Sequence, residues 1–185
     1  MKKLHLLRHA KSSRDNSYLA DIDRPLNERG IRDCQVMAVP IVEAGCPLTT
    51  IFCSPAMRAQ STIEYISEAL ADREITWRVD SALYTFEFRD LLKWCQELDD
   101  TMTDVVIIGH NPAMTDFANQ MSSQMSSQMN SQVSDRTNTT YPAHTIENLP
   151  TCGYAQLLFQ DQSWQTLSVG SAELVSFLKP KMFVD

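Results

Sequence analysis

Leu4-His5-Leu6-Leu7-Arg8-His9-Ala10-Lys11-Ser12 is the stretch of sequence that decides the fold. Its first half is apolar enough to form a short buried strand, and the chain becomes polar at Arg8. Ligands of open α/β sheets bind at the carboxyl ends of the strands. At such a position the planar guanidinium of Arg8 would supply several hydrogen-bond donors in a fixed arrangement, and the imidazole of His9 would supply a nucleophilic nitrogen. An ordinary strand end with two solvated polar residues would look the same, so other stretches must decide.

Two later stretches repeat this pattern of an apolar strand followed by polar side chains. Residues 49–53 and 104–108 are predicted to be buried strands, and the second is apolar enough to be central. They are followed by Ser54-Pro55-Ala56-Met57-Arg58 and by Gly109-His110-Asn111-Pro112. If the three strands are parallel neighbours, their carboxyl ends converge on one crevice that collects two arginines and two histidines.

These residue types favour an anionic ligand. Guanidinium groups bind phosphate oxygens in pairs, and helices predicted to begin near Pro55 and Ala113 would add unpaired N–H groups. A metal site would need carboxylates or closely spaced histidines beside His9 and His110, and the sequence has none there. A Gly-x-Ser-x-Gly elbow and a glycine-rich phosphate loop are also absent. The pattern therefore predicts a phosphoryl-binding site that uses no metal and no cofactor.

Helix and strand signals alternate along the rest of the chain, which predicts an α/β protein. Asn27 and Gly45 bound a helix at about 28–44, which Pro40 should kink or split. A second helix should begin with Ser54 as its N-cap and Pro55 as its first residue. Its apolar stripe is Ala59, Ile63, Ile66 and Leu70. The remaining predicted elements are a strand at 75–79, a helix in the second half of 83–98, a helix from about 113, two adjacent strands at 154–159 and 164–169 joined by a turn at 160–163, and a tail at 172–179 that is either irregular or a strand.

Length and composition set broad limits. The 185 residues suit a single domain spanning 1–185, and a net charge of −7 gives a nucleic-acid partner no electrostatic support. No apolar run is long enough to span a membrane, and the N-terminus lacks the long apolar region of a signal peptide. Five cysteines in scattered positions predict free thiols in a reducing cytoplasm.

Residues at about 119–140 differ from the rest in composition, and we interpret them as a low-complexity Met/Ser/Gln insertion. Met121, Met125, Met129 and Val133 recur every four residues within a polar sequence. This spacing allows a helix with a slowly winding apolar seam, a floppy surface insertion outside the core, or a methionine-rich metal or cofactor site.

Four motifs together resemble the histidine phosphatase superfamily, in particular the compact branch of bacterial phosphohistidine phosphatases. They are Leu6 to Ser12, Asp23-Arg24-Pro25-Leu26, Ser54 to Ala59, and Gly109 to Pro112. The resemblance extends to the closing segment at 170–181. It implies a three-layer α/β/α fold with a mostly parallel central sheet, as in phosphoglycerate mutases.

The resemblance also implies a role for each matching residue. His9 matches the nucleophile that becomes transiently phosphorylated, and Arg8 and Arg58 match the groups that hold the phosphoryl oxygens. His110 matches a second histidine that contacts the phosphoryl group, and Arg24 a further phosphate-side arginine. Nearby arginines should lower the pKa of His9 and keep it neutral. Ala10 stands where the family signature has glycine.

The general acid is the least defined part of the predicted site. Glu87, and more remotely Asp90, are the candidates between the second and third motifs, although a solvated carboxylate at a helix start would look the same. A poor acid would matter little for an imidazole leaving group and a great deal for an alkyl phosphate.

Three functions remain open from the sequence. The first is a metal-independent phosphatase acting on phosphohistidine of a protein, because only about fifty residues separate Arg58 from His110 and leave no room for a large cap. The second is a small-molecule phosphomonoesterase or mutase. The third is a phosphate-binding module without turnover. The presence of both His9 and His110 argues against it, because a protein that only binds phosphate needs neither histidine.

Overall fold

A six-stranded sheet organises the fold in the computed structural model, which describes residues 1–122, 145–160 and 163–184. The strand order is β3-β2-β4-β1-β5-β6, and every strand except β5 runs in the same direction. The strands are β1 Lys2–Arg8, β2 Ile51–Cys53, β3 Arg78–Val79, β4 Asp104–Gly109, β5 Tyr154–Phe159 and β6 Ala172–Leu178. The helices are α1 Glu28–Glu43, α2 Met57–Ala69, α3 Phe88–Gln96 and α4 Ala113–Ser122.

Both faces of the sheet are covered, which confirms the predicted three-layer α/β/α fold with a mostly parallel sheet. Successive residues of a strand point to opposite faces, so β1 supplies Leu6 to one hydrophobic core and Leu7 to the other. The first core lies against α3 and α4, and the second against α1 and α2. The central strands β1 and β4 are buried on both sides, as their near-continuous apolar sequences predict.

Helix α1 forms as predicted, with one difference. Asn27 caps it by accepting a hydrogen bond from Gly30 N at 2.9 Å, and Gly45 follows it with a φ of +91°. The helix runs through Pro40 to Glu43 as one element, so the proposed split into two helices is wrong. Pro40 lies in the last turn, where its missing N–H costs a single hydrogen bond.

Three other boundaries differ from the sequence prediction. Helix α2 begins at Met57, with Ala56 and not Ser54 as its N-cap residue. The Ser54 hydroxyl lies 2.7 Å from a histidine and also accepts the backbone N–H of Ala56 at 3.3 Å. The strand predicted at 75–79 contains only Arg78–Val79. Helix α3 covers Phe88–Gln96, so it begins about three residues before the second half of 83–98, where the helix was predicted.

The prediction of adjacent strands at 154–159 and 164–169 is half wrong. Residues 164–166 form a short 3₁₀ turn, because the fully buried Trp164 donates its backbone N–H to Asp100 Oδ1 at 2.7 Å and its indole N–H to Met102 O at 2.8 Å. The tail forms the strand β6, which pairs antiparallel with β5 across an irregularity after Gln156.

The start of the segment predicted as an insertion belongs to α4. Met121 is fully buried in the core beside α3, and the Asn119 side chain exchanges two 2.8 Å hydrogen bonds with the backbone of Ile146. Met121 therefore does not lie outside the core, whereas Gln120 beside it is exposed. The rest of the methionine repeat falls at 123–144, outside the described residues.

All five cysteines are buried and free of disulfide bonds, as their spacing predicts. None of the helices in the described part of the chain is both long enough and apolar enough to span a bilayer.

Candidate active site

The three polar strand ends meet at one edge of the sheet, as the sequence predicts. Strand β4 pairs with β1 on one side and with β2 on the other, and all three are parallel. Arg8 lies opposite Gly109 and Cys53 opposite Ile108, so the residues that follow each strand emerge side by side. Gly30 allows the start of α1 to approach this edge, because a Cβ at that position would overlap the backbone of Lys11.

His9 is held in the tautomer that a nucleophile needs. Its Nδ1 lies 2.8 Å from Ala10 O; since a carbonyl only accepts, Nδ1 carries the proton and Nε2 is the unprotonated nitrogen with the lone pair. Arg58 Nε donates to this Nε2 across 3.3 Å. Burial above all, together with the charges of Arg58 and Arg8, lowers the pKa of His9 to about 4, against the opposing hydrogen bond to Ala10. The sequence predicted this direction but credited only the arginines.

Arg58 links the other groups of the site. It is 3% exposed at the start of α2, and besides His9 it contacts His110, whose Nδ1 lies 3.4 Å from Nη2. Its Nη1 donates to Asp21 O at 2.5 Å, and its Nη2 donates to Asp21 Oδ2 at 2.8 Å. The two shorter hydrogen bonds, to Asp21, hold the guanidinium in place. The two longer contacts are those to the imidazoles of His9 and His110.

His110 is 1% exposed and packs against His9, with 5.0 Å between the ring centroids. Its Nδ1 faces the donor-only Arg58, so its Nε2 carries the proton and donates to Ser54 Oγ at 2.7 Å. Burial, followed by the neighbouring His9 and Arg58, lowers the pKa of His110 to about 3. Both imidazoles are therefore neutral near pH 7.

Arg8 and Arg24 both line the pocket, but they differ in how many of their N–H donors are already hydrogen-bonded. Arg8 donates from Nη1 to Leu149 O at 2.8 Å, whereas its buried Nε has no partner among the described residues. Arg24 is occupied by its own loop, since it donates to Ser13 O at 3.0 Å, and to Ser12 Oγ and Asp21 Oδ1 at 2.9 Å. Arg8 thus has a donor to offer a phosphoryl oxygen, while Arg24 chiefly shapes the rim.

Asp21 is the site residue that the sequence analysis missed. It lies on a 3₁₀ turn between the first two motifs, and its carboxylate accepts hydrogen bonds from Arg24, Arg58 and the Tyr84 hydroxyl at 2.8 to 2.9 Å. Partial burial alone would raise the pKa of Asp21, but these three donors outweigh it and lower the pKa to about 2. Its position three residues before Arg24 was the only signal in the sequence.

Two aromatic side chains of the loop before α3 form one wall of the pocket. Tyr84 and Phe86 pack on the His110 ring with centroid distances of 5.3 and 5.4 Å, and the Arg58 guanidinium lies 5.9 Å from the Tyr84 ring. The sequence analysis did not single out either residue. Ala10, which replaces the family glycine, fits with its side chain fully buried.

Glu87 is not brought into the site. It is exposed at the N-cap of α3, makes no capping hydrogen bond, and does not line the pocket. Asp90, the second candidate acid, accepts a hydrogen bond from Thr85 Oγ1 at 2.9 Å and is also absent from the lining.

The resulting pocket has a volume of about 500 Å³ and is open to solvent. Five of its side chains are cationic and one is a carboxylate, in a chain whose net charge is −7. His110 does not itself line the pocket, but it contacts Arg58, Tyr84 and Phe86, which do. The lining residues are Arg8, His9, Lys11, Ser12, Arg14, Asp21, Arg24, Arg58, Tyr84, Phe86 and Thr151.

The fold and this pocket define an α/β protein with a cationic pocket at the carboxyl ends of its strands. The model of the histidine phosphatase superfamily (branch 1) matches residues 4–102, which is more than half of the chain. The chain belongs to the histidine phosphatase superfamily.

Curated relatives match nearly the whole chain, and solved structures share its fold. An uncharacterised protein of Mycobacterium leprae is 29% identical over 95% of this chain and all of its own length, and one of Mycobacterium tuberculosis is 28% identical over the same shares. The structure of a candidate phosphohistidine phosphatase, SixA, from Nakamurella multipartitia has a TM-score of 0.70, with 21% identity over 97% of this chain and 96% of its own. A protein histidine phosphatase SixA complexed with tungstate also has a TM-score of 0.70, with 17% identity over 97% and 98%. Family and fold support phosphatase activity in general.

Proposed function

We propose that this protein is a phosphatase that hydrolyses phosphohistidine on other proteins through a phosphorylated His9. Its Nε2 lone pair attacks phosphorus and forms a new P–N bond, while the P–N bond of the substrate breaks. The substrate imidazole leaves with the proton that it carried on binding. Water then attacks the phosphoryl group on His9, which releases phosphate and restores the neutral imidazole.

The arginines supply the charge that this transfer needs. In a loose phosphoryl-transfer transition state, the negative charge lies on the three equatorial oxygens, and catalysis is mostly positioning and electrostatic stabilisation. Arg8 has an unpartnered buried N–H, and Arg58 has long bonds to His9 and His110 that a phosphoryl oxygen can replace. His110 can act in the same step by taking up a proton when a dianion enters its surroundings.

The ionised state of Asp21 is the observation that favours phosphohistidine over an alkyl phosphate as the substrate. Among the described residues it is the only carboxylate on the lining of the pocket, and two guanidinium groups and a hydroxyl keep it ionised. An ionised carboxylate has no proton to give to a departing alkoxide. A protonated phosphoimidazole needs none, because its ring is already neutral when it leaves. The charge of Asp21 would also stabilise the cationic form of that ring.

The openness of the pocket favours a side chain presented by another protein. Between α2 and β4 the chain builds only β3, a 3₁₀ turn and α3. This short connection provides the wall residues Tyr84 and Phe86 but no cap over the pocket. A phosphorylated residue on a protein surface can therefore reach His9.

Parallel phosphate-release assays test the proposal. The substrates are a phosphohistidine protein, phosphoimidazole, nitrophenyl phosphate and an alkyl phosphate, each with and without EDTA. The expected result is metal-independent turnover of both P–N substrates at least a hundredfold faster than that of the alkyl ester. Faster turnover of the alkyl ester would indicate a small-molecule phosphomonoesterase. Phosphate binding without release from any substrate would indicate a binding module.

A further inference from the structure

A second and larger cavity adjoins the catalytic pocket. It is an open groove of about 810 Å³, lined by residues 174–177 of β6 on one side and by residues of the 145–151 loop on the other. Thr151 lines both the groove and the catalytic pocket. The same loop carries Leu149 O, which holds Arg8. The groove thus leads directly to the phosphoryl-binding residues.

The groove is cationic in an acidic protein. Its described lining contains Arg29, Lys179 and Lys181, and Glu147 is the one carboxylate among those described lining residues. Arg29 is partly neutralised by Asp33 at 3.6 Å, but neither lysine makes an ion pair with any described residue. Both lysines are exposed. An acidic ligand is therefore attracted here against a net charge of −7 on the whole chain.

The mouth of the catalytic pocket extends this positive surface. Lys11 and Arg14 line it, both are exposed, and neither bonds to the Asp21 carboxylate that engages Arg24 and Arg58. Counted over the residues that the structure describes, the two adjoining cavities together present eight basic side chains and two carboxylates. One phosphoryl group needs far fewer positive charges, so the ligand that matches this surface carries acidic groups beside its phosphoryl group.

The floor of the groove suits an extended chain. Strand β6 is at the edge of the sheet, and among the described strands it pairs only with β5. Edge strands offer backbone N–H and C=O groups to an added strand, and the neighbouring side chains supply specificity. Val175 on this edge is 43% exposed, and Leu174 and Phe177 are half-buried.

We propose that the groove binds an acidic, extended segment of the substrate protein and so presents the phosphorylated residue of that protein to His9. The proposal rests on the proposed function for its choice of partner. The acidic side chains lie against Lys179, Lys181 and the pocket mouth, while apolar side chains of the segment contact the β6 edge.

Steady-state kinetics with matched peptides test the groove. One phosphohistidine peptide carries four glutamates beside the phosphorylated residue, and the other carries four glutamines. The groove variant combines Lys179→Glu with Lys181→Glu. Its control combines Arg73→Glu with Lys93→Glu, which changes the net charge equally at exposed positions outside both cavities. Phosphoimidazole, which cannot reach the groove, reports on folding and on the chemistry.

The wild type and the control should have a KM roughly tenfold lower for the acidic peptide than for the neutral one, an advantage that salt weakens. The groove variant should lose this advantage and keep its phosphoimidazole rate. Equal KM values for the two peptides in the wild type, or equal loss in both variants, would overturn the proposal. So would a dimer in solution that only the groove variant dissociates, since the groove would then bind a second copy. Failure to hydrolyse any phosphorylated substrate would instead contradict the proposed function, and binding of a labelled, unphosphorylated acidic peptide would still test the groove.

Discussion

Arg58 is anchored to Asp21 by two hydrogen bonds, one to the backbone oxygen and one of 2.8 Å to the carboxylate. Its bonds to His9 and His110 are longer, at 3.3 and 3.4 Å. An entering phosphoryl group can therefore replace the two long bonds while the bonds to Asp21 keep the guanidinium in place. In this account Asp21 positions Arg58 and does not itself donate a proton.

Asp21→Asn should therefore lower kcat/KM by roughly 10- to 100-fold, because a loosened Arg58 misplaces the transition-state charge. The loss should be similar for phosphoimidazole and for an alkyl phosphate, as the measured ratio of their rates would show. Asp23→Asn, on the same turn but outside the pocket lining, is the control and should change little. A loss confined to the alkyl ester would show that Asp21 acts as a general acid.

Glu87→Gln should change the rate on every substrate by less than about twofold, because the side chain is exposed and does not line the pocket. Initial rates on an alkyl and a nitrophenyl ester measure this. If Glu87 moves in to protonate the leaving group, the alkyl ester alone should slow by roughly 10²- to 10⁴-fold, the usual range for general acid catalysis.

The sequence predicted the site residues at the strand ends but not the contacts that loops make with one another. Arg8, His9, Arg58 and His110 could be placed because each follows an apolar strand or opens a helix, and neighbouring parallel strands end together. Asp21 could not, because a carboxylate in a polar loop has no periodicity and its partners Arg58 and Tyr84 are distant in the chain.

The errors in the fold have the same origin in tertiary contacts. Ser54 followed by proline is a strong helix start by local rules, yet its hydroxyl is used by His110. Trp164 begins a stretch at 164–169 in which apolar and polar residues mix in a way that favours a strand, yet its bonds to Asp100 and Met102 hold it in a turn. Met121 opens a polar repeat in the sequence, yet the packing of α4 against α3 buries it in the core.

Met121→Ala should destabilise the protein by about 2–5 kcal/mol, the usual cost of emptying a buried methionine site. Thermal unfolding should show this as a Tm lower by roughly 5–15 °C. Met57→Ala is the matched control, since Met57 is 44% exposed on α2, and its cost should stay within about 0.5 kcal/mol. Equal effects of the two substitutions would show that Met121 is not part of the core.

Stability should fall on acidification from about pH 6.5 to about pH 4. Burial lowers the pKa of His5 to about 4, as it does for His9, so these side chains stay neutral in the folded protein while they are already protonated in the unfolded chain. Folding therefore loses free energy as the pH drops below the unfolded pKa, and the loss levels off below the folded one. For one such histidine the change is on the order of 3 kcal/mol.

The double variant His5→Leu with Tyr154→Phe isolates one of these groups away from the pocket. His5 Nδ1 lies 2.7 Å from the Tyr154 hydroxyl, and replacing both removes the titrating ring without leaving its partner unpaired. Urea unfolding between pH 7 and pH 4 should give a shallower loss of stability for the variant than for the wild type. Parallel pH profiles would contradict the neutral buried His5.

The central claim is that the phosphoryl group passes through Nε2 of His9, and rapid mixing with a phosphohistidine protein tests it most directly. Quenching in alkali preserves P–N bonds, and mass spectrometry of the digested enzyme locates the phosphoryl group. The account predicts a transient phosphoryl group on His9, at up to one per chain and before phosphate is released, and neither intermediate nor turnover in His9→Ala. Turnover without phosphorylation of His9, or a near wild-type rate for His9→Ala, would contradict it.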